Sequence, residues 1–379
     1  MTRANLHLSK GQVARQAHVG IPKGLKEDEI SRAGFTGRVA ELYRRHDPVA
    51  WTRIEGDHRP WDLDGAKLAP TDMTDPRGTP VPVFYNDDLS VEVSRRAEAM
   101  PFCFRNCDAD DLYFVHRGTG TVETEFGPLH YEPGDYIVIP KSVTYRIAPD
   151  GKDNYFLVIR ATEEIDFFDH GPLGRHAPFD PALVETPEPK AYEGDGRKEY
   201  EVVVKKEGTF TSVFYPNHPF DVVGWKGDLY PFKMNMRDYR PIFSDRQHLP
   251  PSAHAIFEGR GFVVVNFLPR PAETERDVNR LPWYHRNADY DEIGFVHAGS
   301  LMGAAMEPAT MMFHPQGVHH GLGEEFREFT ESSWKKHEYL DWRIVNIDTW
   351  KMLKLSPEAK AASRSNNQLT QSEHVERKK

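Results

Sequence analysis

The chain has 379 residues, and its 48 Lys and Arg against 58 Asp and Glu give a formal net charge of −10. Nucleic acids and anionic membrane surfaces are bound by positive surfaces, so this balance argues against both kinds of partner. A hydrophobic content of 39% favours a folded globular protein. No apolar run approaches the roughly 18 residues that a membrane span needs. The first residues, MTRANLHLSKGQ, lack the apolar core of a secretory signal.

In chain order, the sequence predicts mainly short strands. Residues 1–75 are mixed, and residues 31–46 (SRAGFTGRVAELYRRH) show a short helical pattern. Between residues 80 and 165, β-branched and aromatic runs such as YFVHRG and NYFLVIR are separated by Gly, Pro and Asp, which is typical of strands. A Pro-rich and charged connection over residues 166–200 is followed by further strand-like runs, among them GFVVVNFLP and EIGFVHAG.

Only two cysteines occur, Cys103 and Cys107. Along a strand their Cα atoms would be about 13 Å apart, whereas a disulfide needs about 7 Å or less. We therefore expect free thiols and a reducing, cytoplasmic location.

Two segments of the sequence repeat each other. RNCDADDLYFVHRG at 105–118 and RNADYDEIGFVHAG at 286–299 share R-N, two aspartates, F-V-H and the final glycine without a gap, at an offset of 181 residues. A second pattern follows each copy, with Pro140 and Tyr145 after the first and Pro315 and His320 after the second. The same order and nearly the same spacing indicate one fold unit present twice.

A carboxylate that leads a strand ending in Gly, followed by the G-x5-P-x-G-x2-H pattern, resembles the two motifs of the cupin superfamily. The resemblance implies an all-β-dominated bicupin, with two jelly-roll barrels and a mixed N-terminal and central region. We predict an N-terminal region with a degenerate cupin barrel (1–165), a connecting and central β region (166–280), a C-terminal cupin with a metal site (281–355) and a mobile polar tail (356–379).

The two copies differ at the positions that correspond to cupin metal ligands. The second copy has His285, Glu292 and His320, where the first has Phe104, Asp111 and Tyr145. Two imidazoles and a carboxylate suit non-haem Fe(II), although Mn, Ni and Zn also accept these donors. We therefore predict one metal ion per chain, in the C-terminal barrel. Asp291 remains a rival candidate for the carboxylate ligand, although the strand register favours Glu292.

Several longer blocks resemble one bicupin family, homogentisate 1,2-dioxygenase. They include HPFDVVGWKGDLYPFKMNMRDY (218–239), PWYHRN (282–287), HPQGVHHG (314–321) and parts of the N-terminal 50 residues, so the resemblance covers almost the whole chain. It implies that His285, Glu292 and His320 bind Fe(2+) and that His248 is an acid–base group. Strand parity makes His116 and His297 structural, and Tyr284 and His314 are further candidates for contacting the substrate.

The resemblance implies a reaction of homogentisate with O2 that gives maleylacetoacetate, in a step of tyrosine degradation. It also implies a homo-oligomer, a trimer or hexamer, without an organic cofactor. Alternatives are a dioxygenase for gentisate, hydroquinone or another 2,5-dihydroxyaromatic, a non-catalytic metal-binding bicupin, and an isomerase or lyase that uses Zn or Mn.

Overall fold

The structure, a computed structural model, describes residues 8–33, 37–174, 176–336 and 338–364. In the first half the strands are β1 Lys26–Ser31, β2 Val39–Arg44, β3 Trp61–Asp64, β4 Val81–Tyr85, β5 Leu89–Ser94, β6 Cys103–Asn106, β7 Asp110–Arg117, β8 Gly120–Thr124, β9 Gly127–Tyr131, β10 Asp135–Ile139, β11 Thr144–Pro149, β12 Tyr155–Ala161 and β13 Ile165–Phe167. In the second half they are β14 Tyr200–Lys206, β15 Thr209–Tyr215, β16 Phe232–Asn235, β17 Ala255–Gly259, β18 Phe262–Phe267, β19 Arg270–Pro271, β20 Tyr284–Asn287, β21 Asp291–Leu301, β22 Ala304–Ala305, β23 Thr310–His314, β24 Tyr339–Thr349 and β25 Lys354–Leu355.

The helices of the described residues are few and short. They are α1 Glu324–Ser333 and α2 Pro357–Ala361, with 3-10 turns at Gly65–Lys67, Thr71–Met73, Gly171–Leu173, Pro181–Leu183, Met236–Asp238, Pro251–His254 and Trp334–Lys336. No helix in the described part of the chain is long and apolar enough to cross a membrane. The predicted all-β architecture with two barrels is confirmed, and the strand runs of both halves form the expected strands.

Four sheets build the two barrels. The first barrel has a seven-stranded sheet (β16-β10-β7-β12-β5-β4-β25) and a six-stranded sheet (β15-β14-β6-β11-β8-β9). The second has a nine-stranded sheet, ordered β13-β17-β18-β24-β21-β23-β3 with β19 and β22 beside it, and a three-stranded sheet, β2-β1-β20. The region 166–280 therefore adds strands to both barrels.

The main core lies between the barrels, where the seven-stranded and nine-stranded sheets face each other. Leu112 and Phe114 of β7 and Ile293 and Phe295 of β21 are buried there. Alternate residues of a strand point to opposite faces, so Glu292 points away from this core and into the second barrel. A separate core that includes Tyr113 fills the first barrel.

Each barrel is completed by a hairpin from elsewhere in the sequence. In the first barrel, β14 pairs in parallel with β6 and antiparallel with β15. In the second, β1 pairs in parallel with β20 and antiparallel with β2. The equivalent hairpin follows the first barrel but precedes the second, so N-terminal strands form a wall of the C-terminal barrel.

Two sequence predictions need correction. The helical pattern over 31–46 is wrong, because 39–44 form β2, whose pairing with β1 overrides local propensity; residues 34–36 lie outside the described ranges. The polar tail begins later than residue 356, since α2 packs with Ala359 and Ala362 buried. Residues 365–379 also lie outside the described ranges. Cys103 and Cys107 are free thiols, as predicted.

Candidate metal centre

Three potential metal ligands meet between the nine-stranded and three-stranded sheets. His285 lies on β20, Glu292 on β21 and His320 in the segment after β23, and one ligand atom of each lies within 4.8 Å of the others. All three residues are buried. Reciprocal backbone hydrogen bonds join His285 and His320, at 3.0 and 2.9 Å, and fix the two imidazoles beside each other.

Backbone carbonyls orient both imidazoles. Nδ1 of His285 donates to the carbonyl oxygen of Trp283 at 2.9 Å, and Nδ1 of His320 donates to that of Val318 at 3.2 Å. A carbonyl oxygen only accepts, so each ring carries its proton on Nδ1 when neutral and turns Nε2 toward Glu292. Outer-shell hydrogen bonds of this kind are usual for metal-binding histidines.

The charge state of Glu292 also suits a ligand. Burial acts to raise its pKa, but the neighbouring imidazoles of His320 and His285 hold this pKa well below its ordinary value. Nε2 of His320 contacts the Glu292 carboxylate directly, and Nε2 of His285 lies 3.6 Å from it. An ionised carboxylate and two oriented imidazoles form a donor set for a divalent transition metal.

Asp291, the rival ligand, has a different position. Its carboxylate accepts hydrogen bonds from the backbone N–H groups of Gln316 and Leu353 at 2.8 and 2.7 Å. Asp110, the equivalent residue of the first copy, accepts from two backbone N–H groups in the same manner. Both copies thus use this aspartate to tie loops to a strand, and Glu292 is the carboxylate that faces the histidines.

The equivalent place in the first barrel contains a cation from the protein itself. Asp111, the counterpart of Glu292, accepts hydrogen bonds from Tyr145 and Asn106. Nε of the buried Arg160 lies 3.6 Å from Asp111 and 3.2 Å from Glu92. A guanidinium therefore balances the buried carboxylates where the second barrel has histidines.

The residue that corresponds to Arg160 by strand pairing is Asp348. Arg160 is the cross-strand partner of Asp111, and Asp348 is the cross-strand partner of Glu292. Burial and then the neighbouring charge of Glu292 raise the pKa of Asp348 well above its ordinary value. Between the two copies a guanidinium is therefore replaced by a carboxylic acid, so the second barrel has no side-chain cation at this position. Sequence reasoning missed both residues, because their strands pair at long range.

His314, a predicted substrate contact, lies next to the cluster. It is the cross-strand partner of Glu292 on the other side, and its Nδ1 is 3.8 Å from the carboxylate. Its ring stacks on that of His320 at 4.4 Å. Burial and then His320 lower the pKa of His314 to about 3, so it is a neutral imidazole at the edge of the site.

Tyr284, the other predicted substrate contact, needs correction. It precedes His285 on β20, so the pleat turns its side chain to the opposite face. There its hydroxyl donates to Asp47 at 3.3 Å, and the guanidinium of Arg327 lies over its ring. This geometry argues against contact between Tyr284 and a substrate at the cluster.

His248 is buried in a neighbouring polar group. Its Nδ1 lies 2.8 Å from a carboxylate oxygen of Glu273, which also binds Arg270 at 2.9 Å. Its ring meets that of Trp283 edge to face at 5.9 Å, and the carbonyl of Trp283 orients His285. Burial is the main reason why the pKa of His248 is lowered. The acid–base role of His248 stays a prediction.

Known proteins are similar to this chain over part or most of its length. Residues 82–236 match the family described as homogentisate 1,2-dioxygenase N-terminal. "Putative dioxygenase SSO1533" from Saccharolobus solfataricus is 28% identical over 371 residues, which are 93% of this chain and 95% of that protein.

Similar solved structures include two proteins with low sequence identity. A deletion mutant of Bacillus subtilis oxalate decarboxylase aligns with 84% of this chain and 86% of its own, at 12% identity and a TM-score of 0.36. A cupin 2 conserved barrel domain protein from Leptotrichia buccalis aligns with 80% of this chain and 100% of its own, at 10% identity and a TM-score of 0.34. The predicted resemblance to the homogentisate 1,2-dioxygenase family is confirmed by the match over residues 82–236, and the chain is similar along most of its length to a protein named as a dioxygenase.

Proposed function

We propose that the protein is a non-haem Fe(II) dioxygenase that cleaves the ring of a 2,5-dihydroxyaromatic acid, with homogentisate as the first candidate and maleylacetoacetate as its product. The observation that carries the proposal is the buried cluster of His285, Glu292 and His320, in the barrel where Asp348 occupies the position of Arg160. Two imidazoles and one carboxylate on a single face leave coordination positions open for substrate and O2.

The bound ion would hold both reactants together and let electron density pass from the electron-rich ring to oxygen. The protein's own part is to hold the ion and the substrate in position and to move protons. His285, Glu292 and His320 would hold the ion, with the imidazole orientation set by the carbonyls of Trp283 and Val318. His314, whose ring stacks on that of His320, would contact a ligand at the edge of the cluster.

His248 would take the phenol proton of the substrate. Its Nδ1–H can donate to the Glu273 carboxylate, which leaves the lone pair on Nε2. A lowered pKa keeps the imidazole neutral at neutral pH, as a base must be.

We further propose that the protein is a homo-oligomer, a trimer or hexamer, and that it is located in the cytoplasm.

The test is an oxygen-electrode screen of protein loaded with Fe(II) under anaerobic conditions. Homogentisate, gentisate and hydroquinone are compared at equal concentration, with the His320→Ala variant as the control for iron in solution. We expect one O2 consumed per substrate and a conjugated ring-opened acid. Oxygen uptake with gentisate or hydroquinone alone would move the substrate within the class, and uptake equal to that of His320→Ala for every compound would favour a non-catalytic bicupin.

A further inference from the structure

We propose that His18, Glu29 and Glu41 form a second site for a divalent transition-metal ion, in the three-stranded wall of the C-terminal barrel. Glu29 lies on β1 and Glu41 lies opposite it on β2, as Cα partners. Nε2 of His18 is 3.8 Å from a Glu29 oxygen and 3.9 Å from a Glu41 oxygen. One ligand atom from each of the three residues lies within 4.8 Å of the others.

His18 is held in the orientation that a ligand requires. Its Nδ1 lies 2.9 Å from Glu27, which also accepts the backbone N–H of His18 at 3.1 Å. Its ring stacks on Trp283, with centroids 3.6 Å apart and 13° between planes. When Nδ1–H donates to Glu27, the lone pair of Nε2 points between Glu29 and Glu41. A carboxylate behind a metal-binding imidazole is a common arrangement.

The two carboxylates in front of His18 face each other. Glu29 is only 4% exposed, and its carboxylate contacts that of Glu41. Oε2 of Glu41 is buried and has no hydrogen-bond partner among the described residues. A buried carboxylate without compensation is costly, so this space calls for a cation.

The adjacent residue on the same strand, Asp28, is a buried carboxylate whose charge is balanced by the protein's own side chains. Asp28, between Glu27 and Glu29, points to the other face and contacts Arg44 at 2.5 Å, His319 at 3.1 Å and Arg286 at 3.5 Å. The guanidinium groups of Arg44 and Arg286 thus balance Asp28, whereas the carboxylates of Glu29 and Glu41 face the imidazole of His18.

The donor types define the class of ion. Mg²⁺ and Ca²⁺ prefer oxygen ligands alone, whereas an imidazole with two carboxylates suits Mn²⁺, Fe²⁺ or Zn²⁺. Glu29 is also the Cα partner of His285 on β20, so the second site shares a wall with the first cluster. Two ions would then lie in one barrel, one more than the repeated segments predict, on ligand sets that have no residue in common.

The test counts Mn²⁺ bound to metal-free protein by the electron paramagnetic resonance signal of the free ion. In the His320→Ala variant, which disables the first cluster, we expect one Mn²⁺ per chain to remain. Adding Glu41→Gln, or separately His18→Gln, should weaken that binding by at least about 100-fold, because each removes a coordinating group and the loss of an outer-shell partner alone costs about 10–100-fold. In protein with an intact first cluster, Glu41→Gln should lower the total from two ions to one, and that remaining ion shows that the variant is folded.

Glu328→Gln serves as the control, because it removes the same charge as Glu41→Gln but at an exposed position on α1. It should leave both ions bound. The proposal is overturned if His320→Ala binds no Mn²⁺, which would mean that a shared proton balances Glu29 and Glu41. It is also overturned if Glu41→Gln and His18→Gln bind as tightly as their parent. Neither outcome affects the proposed dioxygenase, which fails only if the intact first cluster supports no oxygen uptake.

Discussion

Nδ1 of His116 lies 3.0 Å from Nδ1 of His297, and the two residues are 181 positions apart in the chain. That separation equals the offset between the two repeated segments, so equivalent histidines of the two copies meet. Phe114 and Phe295, which are also equivalent, pack edge to face with centroids 6.2 Å apart. An approximate two-fold axis therefore runs between the seven-stranded and nine-stranded sheets at this point, and the histidines predicted to be structural lie at the interface of the barrels.

This histidine pair predicts loss of stability in mild acid. Burial is the main reason why the pKa of His116 is lowered to about 3 and that of His297 to about 4. An unfolded histidine titrates near 6.5, so the unfolded chain binds more protons between about pH 4 and 6.5, and the free energy of unfolding falls as pH falls through this window. For His297 alone the full effect, reached below about pH 4, is about 3 kcal/mol. Urea unfolding at pH 7.5, 6.0 and 5.0 measures the part of this effect that appears above pH 5, about 2 kcal/mol.

The matched variant is His116→Asn, which keeps a polar side chain but removes one titrating group. We expect a lower stability at pH 7.5 and a shallower dependence on pH than in the parent protein. An unchanged slope between pH 7.5 and 5.0 would show that other groups dominate acid unfolding.

The comparison of the two repeated segments also predicts different effects of substituting Asp291 and Glu292 on iron binding. Glu292→Gln removes the ionised ligand, so protein loaded with Fe(II) and then desalted should hold one equivalent less iron than the parent. Asp291→Asn should keep its iron, because Asp291 binds backbone N–H groups of Gln316 and Leu353. Weakening those two hydrogen bonds should cost about 1–3 kcal/mol in the free energy of unfolding. Iron lost from Asp291→Asn, with iron retained in Glu292→Gln, would reverse the assignment.

In the first barrel, Arg160 is expected to stabilise the fold and to have no part in the reaction. Arg160→Met leaves Asp111 and Glu92 buried without their cation, which should cost about 3–5 kcal/mol. Adding Asp111→Asn should recover part of this loss, because one uncompensated carboxylate is then removed. Iron content and activity per folded chain should match those of the parent in both variants. Loss of iron from a folded Arg160→Met protein would mean that the first barrel takes part in metal binding.

The sequence was sufficient for the features that depend on local pattern. The alignment of the two repeated segments, together with the alternation of side chains along a strand, predicts that Glu292 and His297 lie on opposite faces. The structure has this arrangement. The sequence was insufficient wherever strands pair at long range. Nothing near residues 26–44 indicates that β1 will lie beside β20, so Glu29 could not be placed next to His285. Tyr284 was misplaced for a simpler reason: adjacency to His285 within a strand implies the opposite face.

The last prediction concerns His248, which we expect to act on substrate protons without binding the metal. Its contacts with Glu273 and Arg270 fix the ring, and no ligand of the cluster touches it among the described contacts. His248→Ala should therefore keep its iron and lose on the order of 10²–10⁴ in kcat, the usual range for a general acid–base group.

In the parent protein, kcat/KM should fall on the acid side of its pH profile as His248 becomes protonated. The lowered pKa of His248 should place that fall below pH 6.5. His254→Gln is the matched control, because His254 is a second buried histidine and its Nε2 donates to the carbonyl of Ile242 at 3.0 Å. The activity per iron of this variant should equal that of the parent. Near-normal kcat in His248→Ala would make His248 a bystander, and loss of iron would make it structural or a ligand.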